Sequence, residues 1–458
     1  MNATIQLIAN SWCTPESALN STQELLAWIA ERNASTKVEI TKNRLSDSET
    51  WFYDHDEGCI RNQNRSFFSI TGFRGDGVSQ PILLQQEIGY NGILCREFDG
   101  VMHFLMQAKI EPGNVNKIQI SPTIQATKSN FLQKHGGRLP AYLNYFLHSS
   151  RYEVVVDQLQ SEQSSRFLGK RNRNIIVRVE EDVPVLSTHR WMTLGQIKRL
   201  MREDNLVNMD TRTVLSCIPF SVRSATENAL AELSERFMDK ALFHSAFYGE
   251  DTFRLPEVYG YLNNRKMFDT ADHRLVPLHI LEDWDMRDDE IVCRHPYPFK
   301  VVFCDIAIEG REVRRWTQPL FESTGVATFG LICCEDDGLL KFVVRATTEP
   351  GCLDVLELGP TVQREASGYR TAEDAISRFF FERLACGKGV VFDHMLSEEG
   401  GRFYHEQNRN VLLRIDRTEL PELPEDYFLL DYRTLNELVQ INNTLNIQLR
   451  NLLSLLEA

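Results

Sequence analysis

The chain has 458 residues, of which 42% are hydrophobic and 25% charged, and its formal charge is −14. This composition is typical of a globular protein, and the length predicts roughly two to three domains. The negative charge argues against sequence-independent nucleic-acid binding, and no apolar run approaches the roughly 20 residues of a transmembrane helix. Because the N-terminal stretch also lacks the pattern of a secretory signal, we expect a cytoplasmic protein.

The first predicted element is a helix near residues 21–32. Strands at 93–98 and 101–110 then flank Asp99-Gly100, a dipeptide typical of a two-residue β-hairpin turn. Apolar and polar residues alternate in the second strand, so one face is expected in the core and the other free to reach a ligand. Gln107, Lys109 and Glu111 are predicted to project from the face opposite the apolar one.

Further elements follow towards the middle of the chain. A valine-rich strand is predicted to end just before Asp157. Thr193 and Gln196 form a capping box, which predicts that a helix begins there. A second helix start, with Ser224 and Glu227, is expected between the two halves of the chain.

The sequence repeats itself. Residues 103–125 and 205–212 recur 238 positions later, and residues 157–174 recur 236 positions later. We therefore predict a tandem duplication of an α+β unit of roughly 200 residues, each with a curved mixed sheet and packed helices. The expected domains are residues 1–217, a bridging helical segment at 218–260, and residues 261–458.

Motifs for common cofactors are missing from the sequence. The ten cysteines include no Cys-x-x-Cys, so most are expected to be buried apolar residues. There is no His-x-His, no Walker A sequence and no Gly-x-Gly-x-x-Gly after a strand. We therefore expect no metal and no cofactor.

Arginines that recur in both copies are candidates for binding an anion. The two recurring pairs are Arg166 with Arg402 and Arg173 with Arg409. A buried unpaired charge would cost several kcal/mol, so each arginine either pairs with a carboxylate such as Glu162 or Glu398 or meets an anionic ligand such as a diphosphate. Three tryptophans either stack on a nucleobase or belong to the core: Trp51, Trp191 and Trp316.

The two copies differ at polar positions. The first has Lys109, Asn114, Lys117, Ser121, Thr127, Lys128, Ser129 and Asn130 where the second has Thr347, Cys352, Val355, Gly359, Glu365, Ala366, Ser367 and Gly368. One interpretation is that both halves keep a pocket and only the N-terminal half performs chemistry. The alternative is sequence drift on exposed loops.

Three long segments, 107–130, 156–174 and 194–212, resemble the sugar-nucleotide 2,3-dehydratase family. The resemblance covers nearly the whole chain and includes the duplication. It implies two Nudix-like units in each subunit of a homodimer, and a dTDP-linked 4-keto-6-deoxyhexose as substrate. The sequence lacks the glutamate-rich helix motif of Nudix hydrolases, so metal-dependent diphosphate hydrolysis is not expected.

The implied reaction is an elimination. The C4 ketone acidifies the C3 hydrogen, a base removes it, and hydroxide leaves C2 with help from an acid. The product tautomerises to a 3,4-diketo-2,6-dideoxy sugar, which a downstream 3-ketoreductase would consume. No hydride leaves the substrate, in agreement with the missing cofactor motifs.

Role assignments follow from this chemistry. Glu111 or Asp157 is a candidate base, Lys109 stabilises the enolate or protonates the leaving group, and His135 is an alternative acid. The remaining candidates for substrate binding are Gln107, Asn114, Gln125, Thr127, Ser129, Asn130, Gln158, Arg166, Arg171, Asn172, Arg173, Trp51 and Trp191. A second pocket is predicted from Gln363, Arg402, Asn408, Arg409 and Trp316.

Two other functions stay open from the sequence. A Nudix-like nucleotide-sugar pyrophosphohydrolase would require a divalent metal. A non-catalytic nucleotide-binding protein would explain the duplication without any acid–base groups.

Overall fold

The computed structural model describes residues 3–75, 77–131, 139–220, 227–249, 254–269, 273–310, 313–366 and 374–458. Four positions singled out from the sequence, His135, Ser224, Ser367 and Gly368, lie outside these ranges. No helix in the described ranges is both long and apolar enough to cross a membrane.

Within the ranges that the structure describes, the first unit has twelve strands and six helices. Its strands are β1 (Val38–Asn43), β2 (Trp51–Asp54), β3 (Cys59–Asn62), β4 (Ser69–Gly75), β5 (Val78–Leu84), β6 (Tyr90–Phe98), β7 (Val101–Ile110), β8 (Ile118–Ser121), β9 (Ile124–Ala126), β10 (Glu153–Ser161), β11 (Arg171–Arg178) and β12 (His189–Thr193). Its helices are α1 (Ala3–Trp12), α2 (Thr22–Ser35), α3 (Lys128–Phe131), α4 (Leu143–Leu147), α5 (Leu194–Leu200) and α6 (Met209–Ser216).

Three helices follow the first unit: α7 (Glu227–Arg236), α8 (Lys240–Phe247) and α9 (Arg254–Phe268). The strands of the second unit are β13 (His273–Val276), β14 (Trp284–Met286), β15 (Glu290–Cys293), β16 (Phe299–Ile308), β17 (Arg315–Ser323), β18 (Thr328–Asp336), β19 (Leu339–Thr347), β20 (Glu357–Gly359), β21 (Val362–Arg364), β22 (Val390–Ser397), β23 (Phe403–Tyr404), β24 (Gln407–Ile415) and β25 (Tyr427–Asp431). Its helices are α10 (Ala375–Cys386), α11 (Tyr432–Val439) and α12 (Ile447–Ser454).

The structure repeats as the sequence does. One seven-stranded sheet has the order β10-β11-β6-β7-β12, with β8 and β9 attached, and the other is β22-β24-β18-β19-β20, with β21 and β25 attached. Helix α8 packs on β19 as α1 packs on β7. The duplicated α+β architecture is therefore confirmed, and the domain limits at 217 and 260 stay a prediction.

The predicted hairpin and helix cap are present. Asp99 and Gly100 both have positive φ, 49° and 77°, the conformation that a type I′ turn requires. The Thr193 hydroxyl accepts from Gln196 N at the start of α5, and Gln196 accepts from Thr193 N in return. Asp157 lies inside β10 and not after its end, because the strand continues through polar residues to Ser161.

Each unit donates its first strand to the other. Strand β1 pairs with β16, with Val38 opposite Ile308, and β13 pairs with β4, with Val276 opposite Gly72. Both small sheets, which follow the order β14-β15-β16-β17-β23 and β13-β4-β3-β2, are thus completed by the other unit. The two units are therefore folded together and not merely adjacent.

The recurring Pro-Gly turns dock the units on each other. Gly113 N donates to Gly400 O at 2.7 Å, and Gly351 N donates to Ser164 O at 2.7 Å. A Cβ added to Gly113 would lie 1.5 Å from the backbone oxygen of Phe403. A side chain at this position therefore cannot fit unless the backbone of the other unit moves.

Two buried arginines cross between the units. The Arg212 guanidinium, on α6, donates to Ser397 O at 2.6 Å, and the Arg450 guanidinium, on α12, donates to Ser161 O. Arg450 Nε also donates to Thr213 Oγ1 at 2.9 Å. Their side chains are among the largest that are fully buried, so each unit uses one charged group to hold the end of a strand in the other.

Candidate active site

A cavity of about 810 Å³ lies where the two units meet. The main sheet of the first unit contributes one wall with Lys109 and Gln125, and β2 contributes Trp51. The second unit closes the cavity with Trp316 on β17 and with the loop that carries Arg402. The exchanged strands explain this placement, because β1 of the first unit pairs into the small sheet of the second unit that also contains β17.

A buried ion pair lies in this wall. Lys109 Nζ is 2.6 Å from Glu111 Oε1, and it also donates to the backbone oxygen of Gln125 at 3.2 Å. Both side chains are only 9% exposed. Alternation along β7 turns Lys109 away from the core, as the sequence predicts, and Glu111 follows the end of the strand.

Asp210 is a hydrogen-bonding centre behind this pair. Its Oδ1 accepts from Asn91 Nδ2 at 2.7 Å, and its Oδ2 accepts from Gln125 Nε2 at 2.6 Å. Burial raises the pKa of Asp210 well above its usual value, nearby carboxylates add to the increase, and Lys109 opposes it. Asp210 therefore fixes Gln125, whose backbone oxygen in turn positions Lys109.

A second acid–base cluster lines the same cavity. Asn172 Nδ2 donates to Glu162 Oε1 at 2.7 Å, and Asn172 Oδ1 accepts from Lys170 Nζ at 2.8 Å. Burial raises the pKa of Glu162 and lowers that of Lys170, while each charge opposes the shift of the other. The cavity thus contains several groups that can exchange protons near neutral pH.

Aromatic side chains and one arginine shape the rest of the wall. The Trp51 ring lies 4.7 Å from that of Phe68, and the Trp316 indole donates to Gln318 Oε1 at 2.8 Å. The guanidinium carbon of Arg402 lies 4.5 Å from the centroid of the Phe68 ring. Indole faces suit a nucleobase, and a guanidinium suits a phosphate.

Ten of the residues singled out from the sequence line this cavity. Eight were expected together, Lys109, Glu111, Gln125, Thr127, Ser129, Asn130, Asn172 and Trp51. The other two, Trp316 and Arg402, were expected in a second pocket, but the structure places them here because the second unit reaches across to close the first. Gln107 lies beside a smaller cavity of about 90 Å³.

Several other candidates already have protein partners outside the cavity lining. Asp157 accepts two hydrogen bonds of 2.6 Å from Arg173, and the copy of this pair, Asp393 with Arg409, has the same form. Arg166 contacts Glu365 at 3.1 Å. Arg166, Arg173 and Arg409 therefore pair with carboxylates, which was one of the two alternatives drawn from the sequence. The carboxylates are not the suggested Glu162 and Glu398.

The remaining candidates also lie apart from the lining. Asn114 Nδ2 donates to Lys117 O, Gln158 Nε2 donates to Gln440 Oε1, and Asn408 Nδ2 donates to Glu398 Oε1. Trp191 packs on Phe98 in the core, as the structural interpretation predicted. Arg171 opens β11 opposite Ser161.

The corresponding region of the second unit is packed with side chains from both units. Trp284 begins β14 as Trp51 begins β2, and its ring lies 4.8 Å from that of Tyr297. The Tyr297 hydroxyl donates to Gln80 Oε1 at 2.6 Å, and Gln363 Nε2 donates to Glu349 Oε1 at 2.9 Å. Trp284 and Tyr297 are both buried, so this part of the second unit is closed by side chains.

Glu349 predicts a pH effect on stability. Burial raises its pKa from 4.5 to about 8, so the folded state holds a proton that the unfolded state releases. The stability from this proton is complete below about pH 4.5 and is lost as pH rises through about 8. We expect Glu349→Gln to raise the melting temperature at about pH 8.5 and to leave it unchanged at about pH 4.5.

Thermal unfolding across that pH range measures the effect. Glu282→Gln is the matched control, because the Glu282 side chain is 86% exposed. If the difference in melting temperature between Glu349→Gln and the unmodified protein does not increase with pH, the raised pKa of Glu349 is contradicted.

Asp210 and Glu399 are among the cavity residues that were not candidates from the sequence. The signal was present in the repeat: Gln448 replaces Asp210 in the second copy, and Gln163 stands where the second copy has Glu399. The same comparison drew attention to Lys109, whose counterpart is Thr347. In the described ranges, no group of three or more His, Cys, Asp or Glu side chains is arranged to hold a metal ion.

An inter-unit cavity lined by carboxyls, lysines and indoles defines an acid–base enzyme that acts on a polar ligand. A family model described as NDP-hexose 2,3-dehydratase matches residues 22–218 and 255–456. The chain belongs to this family of sugar-nucleotide hydro-lyases.

The names of three similar curated proteins agree with this family assignment. A protein of Saccharopolyspora spinosa is 39% identical over 95% of this chain and 91% of its own length. One from Streptomyces violaceoruber is 36% identical over 93% of this chain and 95% of its own, and one from Amycolatopsis orientalis is 34% identical over 98% and 93%. Each is named dTDP-4-dehydro-6-deoxy-alpha-D-glucopyranose 2,3-dehydratase.

Proposed function

We propose that the chain removes the C2 hydroxyl of dTDP-4-keto-6-deoxy-D-glucose and forms the dTDP-3,4-diketo-2,6-dideoxyhexose. The names of the three relatives support this substrate. The observation that carries the proposal is the Lys109–Glu111 pair, buried in the wall of a cavity that also presents two indole rings.

Glu111 is the proposed base. Its carboxylate takes the C3 proton, and the C3–H electron pair moves to the C4 carbonyl oxygen to give an enolate. The Lys109 ammonium, held by Glu111 and by the Gln125 carbonyl, stabilises the negative charge on that oxygen. The enolate electrons then form the C2=C3 bond as the C2–O bond breaks, and the resulting enol tautomerises to the diketone.

The nucleotide half of the substrate has its own proposed partners. Trp51 and Trp316 offer aromatic faces for the base, and Arg402 offers a guanidinium to the diphosphate. Thr127, Ser129 and Asn130 lie in the same lining and offer polar groups to the sugar. The N-terminal half then holds the proposed base and its lysine, and Trp316 and Arg402 are the contributions of the other half to binding.

Several finer features are part of the proposal. Each unit is Nudix-like without the hydrolase motif, the chain acts as a cytoplasmic homodimer, and a 3-ketoreductase consumes the product. A ketoreductase is chemically reasonable because the product has a new carbonyl at C3.

Incubation with dTDP-4-keto-6-deoxyglucose in D2O with EDTA tests the function. We expect loss of one water from the sugar, with deuterium incorporated at C2 of the product and no release of sugar phosphate. Metal-dependent cleavage of the diphosphate would instead indicate the pyrophosphohydrolase, and tight binding without turnover would indicate a nucleotide-binding protein. Either result would overturn the dehydratase proposal.

A further inference from the structure

The second unit places a carboxyl group in the cavity of the first. Glu399 lies just after β22, in a loop whose Gly400 carbonyl accepts from Gly113 N at 2.7 Å. Gly113 belongs to the turn that follows Glu111, so this contact holds the loop of one unit against the proposed base of the other. Glu399 and Glu111 both line the cavity.

The two carboxyl groups lie close together beside Gly401. Gly401 N donates to Glu399 Oε1 at 2.9 Å. A Cβ added to Gly401 would lie 2.2 Å from Glu399 Oε1 and 3.5 Å from Glu111 Oε2. These two oxygens are therefore within about 6 Å of each other, a separation at which two groups can act on adjacent carbons of one sugar.

The repeat has a carboxyl in only one of the two equivalent loops. The loop of the first unit, which faces the packed region of the second, has Gln163 where the second unit has Glu399. An amide forms similar hydrogen bonds but cannot supply a proton to a leaving group. The glutamate lies in the loop that reaches the open cavity, and two other ionisable residues of that cavity, Lys109 and Asp210, are likewise replaced by uncharged residues in the second copy.

We propose that Glu399 is the general acid that protonates the oxygen leaving C2. This inference rests on the proposed dehydration. As the enolate electrons form the C2=C3 bond, the C2–O electron pair goes to the oxygen, which takes the carboxyl proton and departs as water. Glu399 is left as a carboxylate and regains a proton from solvent, while Glu111 releases the C3 proton.

The surroundings of Glu399 suit this role. Burial and the nearby Glu111 charge raise the pKa of Glu399, against the opposite influence of Arg402 and Lys109. In the part of the chain that the structure describes, no cationic nitrogen lies within 4.0 Å of the carboxyl. The raised pKa favours the protonated form of Glu399, which a general acid requires.

Glu399→Gln separates this role from a structural one. We expect the rate of water loss to fall by about 10²–10⁴-fold, the usual contribution of a general acid. In D2O the C3 hydrogen of the remaining substrate should still exchange, because Glu111 is intact. A substrate analogue with fluorine in place of the C2 hydroxyl provides a comparison, since fluoride leaves without a proton. We expect the variant to release fluoride from this analogue at a rate within about tenfold of that of the unmodified protein.

Two further variants complete the experiment. Glu349→Gln removes a buried carboxyl of the second unit and should leave all three rates unchanged. If Glu399→Gln does not fold, Glu399→Asp is measured in the same assays, and water loss should again slow more than fluoride loss.

The inference is overturned if Glu399→Gln loses water at the normal rate, if fluoride loss slows equally, or if C3 exchange disappears. The unmodified protein is run in parallel with the natural substrate. If the unmodified protein does not remove water from the substrate, the proposed function itself is wrong. If the unmodified protein and the Glu399 variant are both fully active, only the role of Glu399 is wrong.

Discussion

Replacing Glu111 by Gln is expected to lower kcat for water loss by about 10²–10⁴-fold, because the amide cannot take the C3 proton. Exchange of the C3 hydrogen in D2O should fall by the same factor, since it requires the same base. Lys109→Met should also slow both, because the enolate oxygen loses its cationic partner; the loss of one such donor typically costs about 10²–10³-fold.

The repeat offers a matched control at each position. Glu349→Gln and Thr347→Val change the equivalent positions of the second unit, and we expect kcat within about twofold of the unmodified protein. Steady-state kinetics with the keto-sugar nucleotide measure all four variants. Equal losses from the two units would refute the asymmetry between them, in which only the N-terminal half performs chemistry.

Arg450→Ala is expected to reduce the free energy of unfolding by about 3–5 kcal/mol, because it removes one partner from a buried polar network. The Arg450 side chain is fully buried, and its guanidinium donates to Ser161 and Thr213 in the first unit. The carboxyls of Glu162 and Glu357 would also lose the charge that now lowers their pKa values. Urea denaturation followed by far-UV circular dichroism measures the change.

Arg294→Ala is the control for charge removal alone. The Arg294 side chain is 58% exposed and pairs with Asp285 at 2.7 Å, so its loss should cost no more than about 1 kcal/mol. If both variants lose the same small amount, the crossing arginines do not hold the units together.

Local patterns explain the elements that the sequence predicted correctly. The Asp99-Gly100 turn, the cap at Thr193 and the alternation that turns Lys109 away from the core all depend on residues a few positions apart. Of the eight cavity residues predicted, alternation along the strand indicated Lys109, while the comparison of the two copies and the family resemblance indicated most of the others. The ion pair between Asp157 and Arg173 is also of a common kind, because the two residues are diagonal cross-strand neighbours on β10 and β11.

Contacts between distant segments explain what sequence reasoning missed. Arg402 and Trp316 were assigned to a second pocket because they lie in the second copy, yet the exchanged strands bring them into the first cavity. Glu399 reaches the same place through the contact between Gly113 and Gly400. Nothing in the spacing of these residues gives their distance in space.

The sequence by itself determined the duplication, the α+β character, the hairpins and the family, because each is encoded in residue order or short-range periodicity. Only the tertiary structure decided that the two units are interlocked, that one site is an open cavity while its counterpart is packed, and that the second unit completes the first. The physical reason is that backbone pairing and buried hydrogen bonds join segments 185 to 289 residues apart, and the resulting free energy depends on all of them at once.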